Sequence, residues 1–599
     1  MTAVDSARAR LDAAEVAAGR RAADLVLLGG RVVEVHTGRI LPLDVAVAGS
    51  RIAAVGDVSH CVGPRTEAID CSGRYVLPGF VEPHLHIGGS QLSIEGLAAV
   101  LLEHGTVAVG TCFYEPGVIA GVDAVTDLLA RASETQLDVL LSPFHAAALG
   151  LGAFGNLGRF GLDDLLGLVA HPACVELREW SWHVAQIPLP ELQDAWRAAL
   201  ERGIPVGGHL EGLTGRTLQA SVALGAQSDH ETGSVEEALE KVRAGVLVQV
   251  REGSGARDLA ALVRAITEEG ADPRCFAFST DEQELSSLVT DGHIDHKLRL
   301  AVAAGVPPVE AVRMATLNAA ASLGVQRDYG AVAPGRVASI AVVDDLASFR
   351  VTACVARGAL VGDGAPSRPY PAYPSAWRAT VHVDRVFGAG DFALDVPDGA
   401  ASVRVIGVTE GSLLTDELVE TVDVEAGHLE PRPPGIAKIA VFDRHEGGAR
   451  GAVGLIRGTG IEFGAVATTV NPGMMNLVVV GTAEEDMAAA ANRVVELGGG
   501  TVVAREGEVR AEVALPLFGI LSDEPPSGVA ASCLAVDAAI SDHLGSRVRG
   551  LLTTVGFACL AVSIPALKIC DRGLVRVARD GQEGVELLAG EVKLKEGQR

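Results

Sequence analysis

From Leu77 to Ile87 the chain reads Leu-Pro-Gly-Phe-Val-Glu-Pro-His-Leu-His-Ile, the pattern of a buried strand ending in two histidines one residue apart. Side chains alternate faces along a strand, so His84 and His86 share a face. Two imidazoles on one face at a strand's end suit a metal ion. Pro78-Gly79 interrupts the chain just before this strand, and Gly88-Gly89-Ser90 opens a loop after it.

The segment around that pair, residues 76–330, alternates short apolar strands with helical patterns. Strands are expected at 107–112, 139–141, 175–177, 205–208, 246–250 and 276–280, and helices at 194–201 and 235–244. Repeated strand-then-helix order requires a parallel sheet and favours a (β/α)8 barrel. A doubly wound open sheet is the alternative; no Gly-rich phosphate loop follows the first strand to support it. Short strands at 25–28, 31–35, 44–48 and 51–55 precede the barrel, and similar ones at 338–343, 349–355 and 358–361 follow it. The expected organisation is a helical extension at 1–22, a composite β-sandwich domain from 23–75 and 331–375, and the barrel at 76–330 inserted in it. A C-terminal unit follows at 376–599, α+β in character. A chain of 599 residues is too long for one core, consistent with several domains.

Catalytic side chains of such barrels sit at the C-terminal ends of the strands. Reading those ends in order gives His84 and His86, then Glu179, His209, His230 and Asp281. Four imidazoles and two carboxylates can hold two divalent ions. A nitrogen and oxygen set without thiolate favours Zn, Mn or Fe. Net charge of −27 argues against nucleic acid or an anionic membrane as partner. Nine scattered cysteines without a CxxC pair fit reduced thiols in a cytoplasm. The apolar run Leu551 to Leu567, interrupted by Pro565, reads as a buried segment of a globular domain rather than a membrane span.

These motifs resemble the amidohydrolase superfamily and, within it, the bacterial adenine deaminases. The resemblance is carried by Pro78-Gly79-Phe80 with His84-X-His86, by Gly208-His209, by Ser228-Asp229-His230-Glu231, and by Arg251-Glu252-Gly253-Ser254-Gly255. Ser279-Thr280-Asp281 and Met314-Ala315-Thr316-Leu317-Asn318 extend it. In the last unit Leu521-Ser522-Asp523 and Ile564-Pro565-Ala566-Leu567-Lys568 resemble the deaminase-specific extension. The resemblance implies that His84 and His86 bind the more buried metal, that Glu179 bridges, and that His209 and His230 bind the second ion. Asp281 would ligate and carry protons. The implied reaction is hydrolytic deamination of adenine, or of a close aminopurine, in a homodimer or higher homo-oligomer. A hydrolase of another cyclic amide, ureide or amidine, and a non-catalytic binding protein of the same fold, are the alternatives.

Glu231 is expected either as a partner orienting a ligand histidine or as a proton shuttle. Arg251 and Glu252 are either a mutual buried ion pair or substrate contacts, and Glu115 is a further candidate for substrate. His293 and His296 read as a solvated helix start, and His445 as a residue facing the site. The chain also departs from the family pattern. Glu82 stands where the family has Asp, Gly88-Gly89-Ser90 replaces Glu-Ser-Ser, and Gly117-Val118 replaces His-Glu. Asn471-Pro472-Gly473-Met474-Met475-Asn476 replaces a run containing an acid and two histidines. The expectation is a more apolar pocket without acids, and adenine turnover below a kcat/KM of roughly 10⁴ M⁻¹s⁻¹.

Overall fold

The computed structural model describes residues 3–144, 159–181, 190–362, 370–394, 398–429, 433–448, 450–561, 566–577, 585–588 and 592–593. Ile564 and Pro565 of the C-terminal motif lie outside the described residues.

The break read at Pro78-Gly79 separates two strands that belong to different sheets. Tyr75–Pro78 pairs antiparallel with Ile340–Val343, whereas Phe80–Glu82 pairs parallel with Thr106–Thr111. Gly79 is where the chain crosses from one sheet to the other. A Cβ there would stand 2.6 Å from Val107 and 3.1 Å from the Ser339 backbone, so only glycine passes. The pairing of 75–78 with 340–343 joins chain segments from either side of the parallel strands that lie between them in sequence. Four strands in the order 51–56, 44–48, 25–28, 67–70 face six in the order 359–360, 351–356, 340–343, 75–78, 31–34, 39–42. Leu25, Val45 and Val47 of one sheet share a core with Val76, Ile340 and Val342 of the other.

Eight parallel strands follow: β1 (Phe80–Glu82), β2 (Thr106–Thr111), β3 (Asp138–Leu141), β4 (Leu177–Ser181), β5 (Val206–His209), β6 (Ala226–Asp229), β7 (Leu247–Arg251) and β8 (Phe276–Ser279). β1 to β3 form one continuous sheet and β4 to β8 another. Parallel bridges join them at both seams, Leu141 with Cys174 and Leu85 with Asp281, so the strands close into a ring. Helices such as Ile94–Glu103, Val122–Glu134 and Ile294–Ala303 lie between them in sequence. Every residue of β2 and β8 is buried, as strands covered on both faces must be. β6, Ala-Gln-Ser-Asp, lacks the apolar run by which the other strands are read.

The C-terminal unit is built on a sheet in the order 428–429, 415–425, 399–408, 451–457, 436–442, 477–481, 465–468, 500–505, 508–514. All neighbours are antiparallel except 399–408 with 451–457. Helix Glu484–Leu497 covers one face through Met487, Ala491 and Val494. Helix Pro526–Leu544 packs against 500–505 and 508–514. This unit docks where the histidines emerge. Ser93 N donates to Ser522 O at 2.8 Å and Ser522 N to Gln91 O at 2.9 Å. Tyr114 Oη donates to Gly473 O at 2.7 Å. The helix Leu551–Ala558 is buried throughout. No helix among the described residues is long and apolar enough to cross a membrane.

Gly110 of β2 controls how closely β2 approaches the residues before His84. A Cβ there would stand 2.4 Å from Pro83 O. Gly110→Ala is expected to lower stability by about 1–3 kcal/mol through overpacking and to weaken metal binding as His84 shifts. Thermal unfolding with metal analysis checks both.

Candidate metal centre

Six side chains converge at one end of the ring. His84 Nε2 lies 3.0 Å from Glu179 Oε1 and 3.3 Å from Asp281 Oδ1. His86 Nε2 lies 3.5 Å from Asp281 Oδ1 and 3.9 Å from Glu179 Oε1. His209 Nε2 sits against Glu179 Oε2. The His230 ring stands 4.1 Å from that of His84, centroid to centroid, and 5.0 Å from that of His209. Potential ligand atoms lie within 4.8 Å of one another in three overlapping groups: His84, His230 and Asp281; His84, His86 and Glu179; and Glu179, His209 and His230. Glu179 joins two of them.

Several of these ligand-type atoms are buried and unspent. Neither ring nitrogen of His84 or His230 makes a hydrogen bond, nor does Glu179 Oε1. Burying such groups without partners costs several kcal/mol in total. Divalent cations bound among them would satisfy imidazole and carboxylate together, so these residues fit a metal. Electrostatics agree. Burial raises the Glu179 carboxyl, but His209 and His84 outweigh it and hold the group well below its usual range. Burial depresses His209, yet Glu179 and Glu231 lift it well above an ordinary histidine. His84 is driven well below by burial and then by His230.

The backbone is shaped to present these groups. Glu179 and Asp281 have φ of 58° and 66°, a left-handed conformation uncommon for such residues and found at constrained sites. Glu82 lies beneath: its carboxylate accepts from His84 N at 2.8 Å and Thr280 N at 3.2 Å, and from Thr280 Oγ1. It thus ties the first ligand strand to the last. Asp229 does the same between β5 and β6, accepting from Leu210 N and from the buried Lys241 ammonium, both at 2.8 Å. Neither was among the expected site residues. Their signal was position alone, an acid one or two residues before a ligand histidine.

Glu231 contacts two ligands, with Oε1 3.2 Å from His209 Nδ1 and 3.3 Å from His230 Nε2. Arg251 is not paired with Glu252, a correction to one reading of that dipeptide. Its guanidinium donates to Glu231 at 2.7 Å, Asp281 at 3.2 Å and Asp258 at 2.9 Å. Glu252 stands apart from the cluster. It accepts from Leu259 N at 3.3 Å, and burial, eased by Lys297, pushes its carboxyl up to about 7. Glu115 does reach the cluster, with Oε1 3.9 Å from His86 Nδ1. His293 is buried rather than solvated, sharing hydrogen bonds with Thr106 and Thr280 hydroxyls at 2.8 and 3.0 Å. His296 is half-buried. His445 packs on the loop that roofs the site, its Nε2 2.7 Å from Met474 O.

The expectation of an acid-free pocket is corrected. The cavity beside His86 is lined by Glu115, Glu282 and Glu284 as well as Val470, Pro472 and Met475. Gly117 does not open on it. A Cβ at Gly117 would point at Val125, 3.2 Å away, and Val118 belongs to the apolar core. Changes at those two positions therefore alter packing, not the cavity wall.

A closed ring of parallel strands carrying this histidine and carboxylate cluster defines a hydrolase of the amidohydrolase class. Residues 181–363 match the amidohydrolase family, and residues 412–580 match the adenine deaminase C-terminal domain. An adenine deaminase of Moorella thermoacetica is 35% identical over 573 residues, 94% of this chain and 95% of that one. Another, from Paracoccus denitrificans, is 36% identical over 596 residues, 96% of each chain. A solved β-aspartyl dipeptidase from Fervidobacterium islandicum AW-1 covers 58% of this chain at 17% identity, with a TM-score of 0.45. The chain belongs to the adenine deaminase family.

Two outcomes follow for metal. Glu179→Gln and His84→Ala are each expected to lose at least one bound ion while the fold survives, as read by elemental analysis and circular dichroism; full retention in either would contradict the assignment. Ligand histidines bind metal only when neutral. Because Glu179 and Glu231 hold the proton on His209 to higher pH than usual, metal affinity should keep rising as pH increases beyond the ordinary histidine range, measured by chelator competition.

Proposed function

We propose that this protein is a metal-dependent hydrolase acting on C–N bonds, converting adenine and water to hypoxanthine and ammonia. The convergence of six ligand-type side chains at one end of the ring, four of them with buried atoms that have no hydrogen-bond partner, carries this reading, supported by likeness to adenine deaminases over nearly the whole chain. The ring is read as a (β/α)8 barrel at 76–330 inserted in a β-sandwich domain of 23–75 and 331–375. The remaining expected units are a helical extension at 1–22 and a deaminase-type domain at 376–599. A homodimer or higher homo-oligomer is part of the same reading.

His84, His86, Glu179, His209, His230 and Asp281 would hold two divalent ions, drawn from Mn, Fe and Zn. When bound, these supply the positive charge that makes water nucleophilic near neutral pH. The chain's own groups do the rest. Asp281 lies beside both His84 and His86, where a carboxylate can take a proton from attacking water and return it to the departing amine. Oxygen is added at C6, the C6–N bond breaks, and ammonia leaves. Arg251 fixes Asp281 by a hydrogen bond at 3.2 Å and so sets its position. Glu231, held by Arg251, orients His209 and His230. Arg251 and Glu252 as direct substrate contacts have less support than Glu115, which borders the cavity.

The test is ammonia release by Mn-loaded protein. Because acids persist in the cavity, adenine should be turned over with kcat/KM at or above roughly 10⁴ M⁻¹s⁻¹, and Asp281→Asn should lower kcat by about 10²–10⁴-fold. Absence of ammonia release from adenine by metal-replete wild type would overturn the reading.

A further inference from the structure

The cavity beside His86 holds about 20 Å³, room for one molecule the size of water and not for a purine ring. It adjoins the metal ligands. The carboxyls of Glu115 and Glu282 and a ring nitrogen of His86 lie within 4.8 Å of one another, and Glu282 follows Asp281 directly. A second cleft, of about 630 Å³, lies between residues 252–260 and 283–304 on one side and 534–551 of the C-terminal unit on the other. Thr290, Leu534 and Arg547 on its lining are exposed, so it opens to solvent. Among the described residues, Glu284 is the one that lines both spaces.

Glu284 is 7% exposed and held in place from both units. Its N donates to Ser254 Oγ at 2.9 Å. Its Oε1 accepts from Thr553 N at 2.9 Å and from Thr553 Oγ1 at 2.6 Å. Burial, and then the nearby Asp537, push its carboxyl up to about 7. Near neutral pH the group is therefore present both as O–H and as carboxylate. It can donate to a nitrogen or oxygen lone pair, or accept from N–H or O–H.

Hydrolysis at C6 yields two products of unlike size. Hypoxanthine is as large as adenine, whereas ammonia is no larger than water, and the small cavity admits only the second. A polar molecule crossing from that cavity to the cleft needs a hydrogen-bonding group on the way, since losing its partners in a buried passage costs several kcal/mol. Glu284 stands at the crossing. We propose that ammonia leaves the metal centre through the small cavity and past Glu284 into the cleft, with water returning by the same path, a path the purine base is too large to share. No covalent bond forms or breaks along it; Glu284 exchanges hydrogen bonds with the passing molecule. This rests on the deaminase reading, whose small product it routes.

The experiment compares the single-turnover rate of hypoxanthine formation with steady-state kcat and KM for adenine, and measures metal content, in Mn-loaded wild type, Glu284→Leu and Ser287→Phe. Leucine removes the polar group at the crossing. Phenylalanine at the half-exposed Ser287, whose hydroxyl lies 2.6 Å from Ser254 Oγ, plugs the cleft side and serves if the first variant folds poorly. Slowed release acts after the chemical step. It should lower kcat and KM together by about tenfold or more and produce a burst of hypoxanthine, with kcat/KM, single-turnover rate and metal content unchanged. A burst in either folded, metal-replete variant upholds the path. Absence of a burst from both, whether kcat is unchanged or falls in step with the single-turnover rate, would overturn it and leave the deaminase reading intact. A wild type that releases no ammonia from adenine overturns that reading, and the path with it.

Discussion

The site depends on one buried carboxylate. Glu82 accepts hydrogen bonds from His84 N and from the amide and hydroxyl of Thr280, so it spans the seam where the ring closes. His86 N then donates to Asp281 O at 2.8 Å, and Asp281 N to His84 O at 2.9 Å. Residues some two hundred positions apart are thereby held in register, and His84, His86 and Asp281 face one point. Burial pushes the Glu82 carboxyl up to about 7, with Lys297 opposing. A longer acid than the family's usual Asp still makes all three contacts.

Around that seam the ring of strands holds an expensive concentration of polar groups. Four imidazoles, Glu179, Asp281, Glu231 and Arg251 are nearly all removed from water. Isolated, each would favour its neutral form or unfolding. They are tolerated because most contact one another: Arg251 pairs with Glu231, Asp258 and Asp281, and Lys241 with Asp229. The nitrogens left over on His84 and His230 are those a metal would take. The left-handed backbone at Glu179 and Asp281 belongs to the same economy, since local strain of about 1–3 kcal/mol persists only where surroundings over-determine it.

Much of this was legible in sequence because it is local. Strand ends marked by histidine or acid announce themselves when a short apolar run stops at a polar residue, and β2, β3, β5, β7 and β8 were placed within a residue or two. What was missed is non-local or lacks a pattern. Pro78-Gly79 marks a break in the sequence but not that the chain there crosses between two sheets, since that crossing is imposed by Val107 and Ser339. β6 is polar and was read only through His230. The partners of Arg251 come from three elements, whereas adjacency in sequence suggested Glu252. Gly88 and Gly89 looked like lost polar groups. In space they are the clearance for Glu115 and Glu282.

The central claim is that this cluster holds two ions bridged by Glu179. Anomalous diffraction at the Mn edge from Mn-loaded crystals tests it directly. The account predicts two peaks about 3.5–4 Å apart, one against His84 and His86 and the other against His209 and His230, with Glu179 between them. No anomalous peak within reach of these side chains, or ions held elsewhere in the chain, would contradict it.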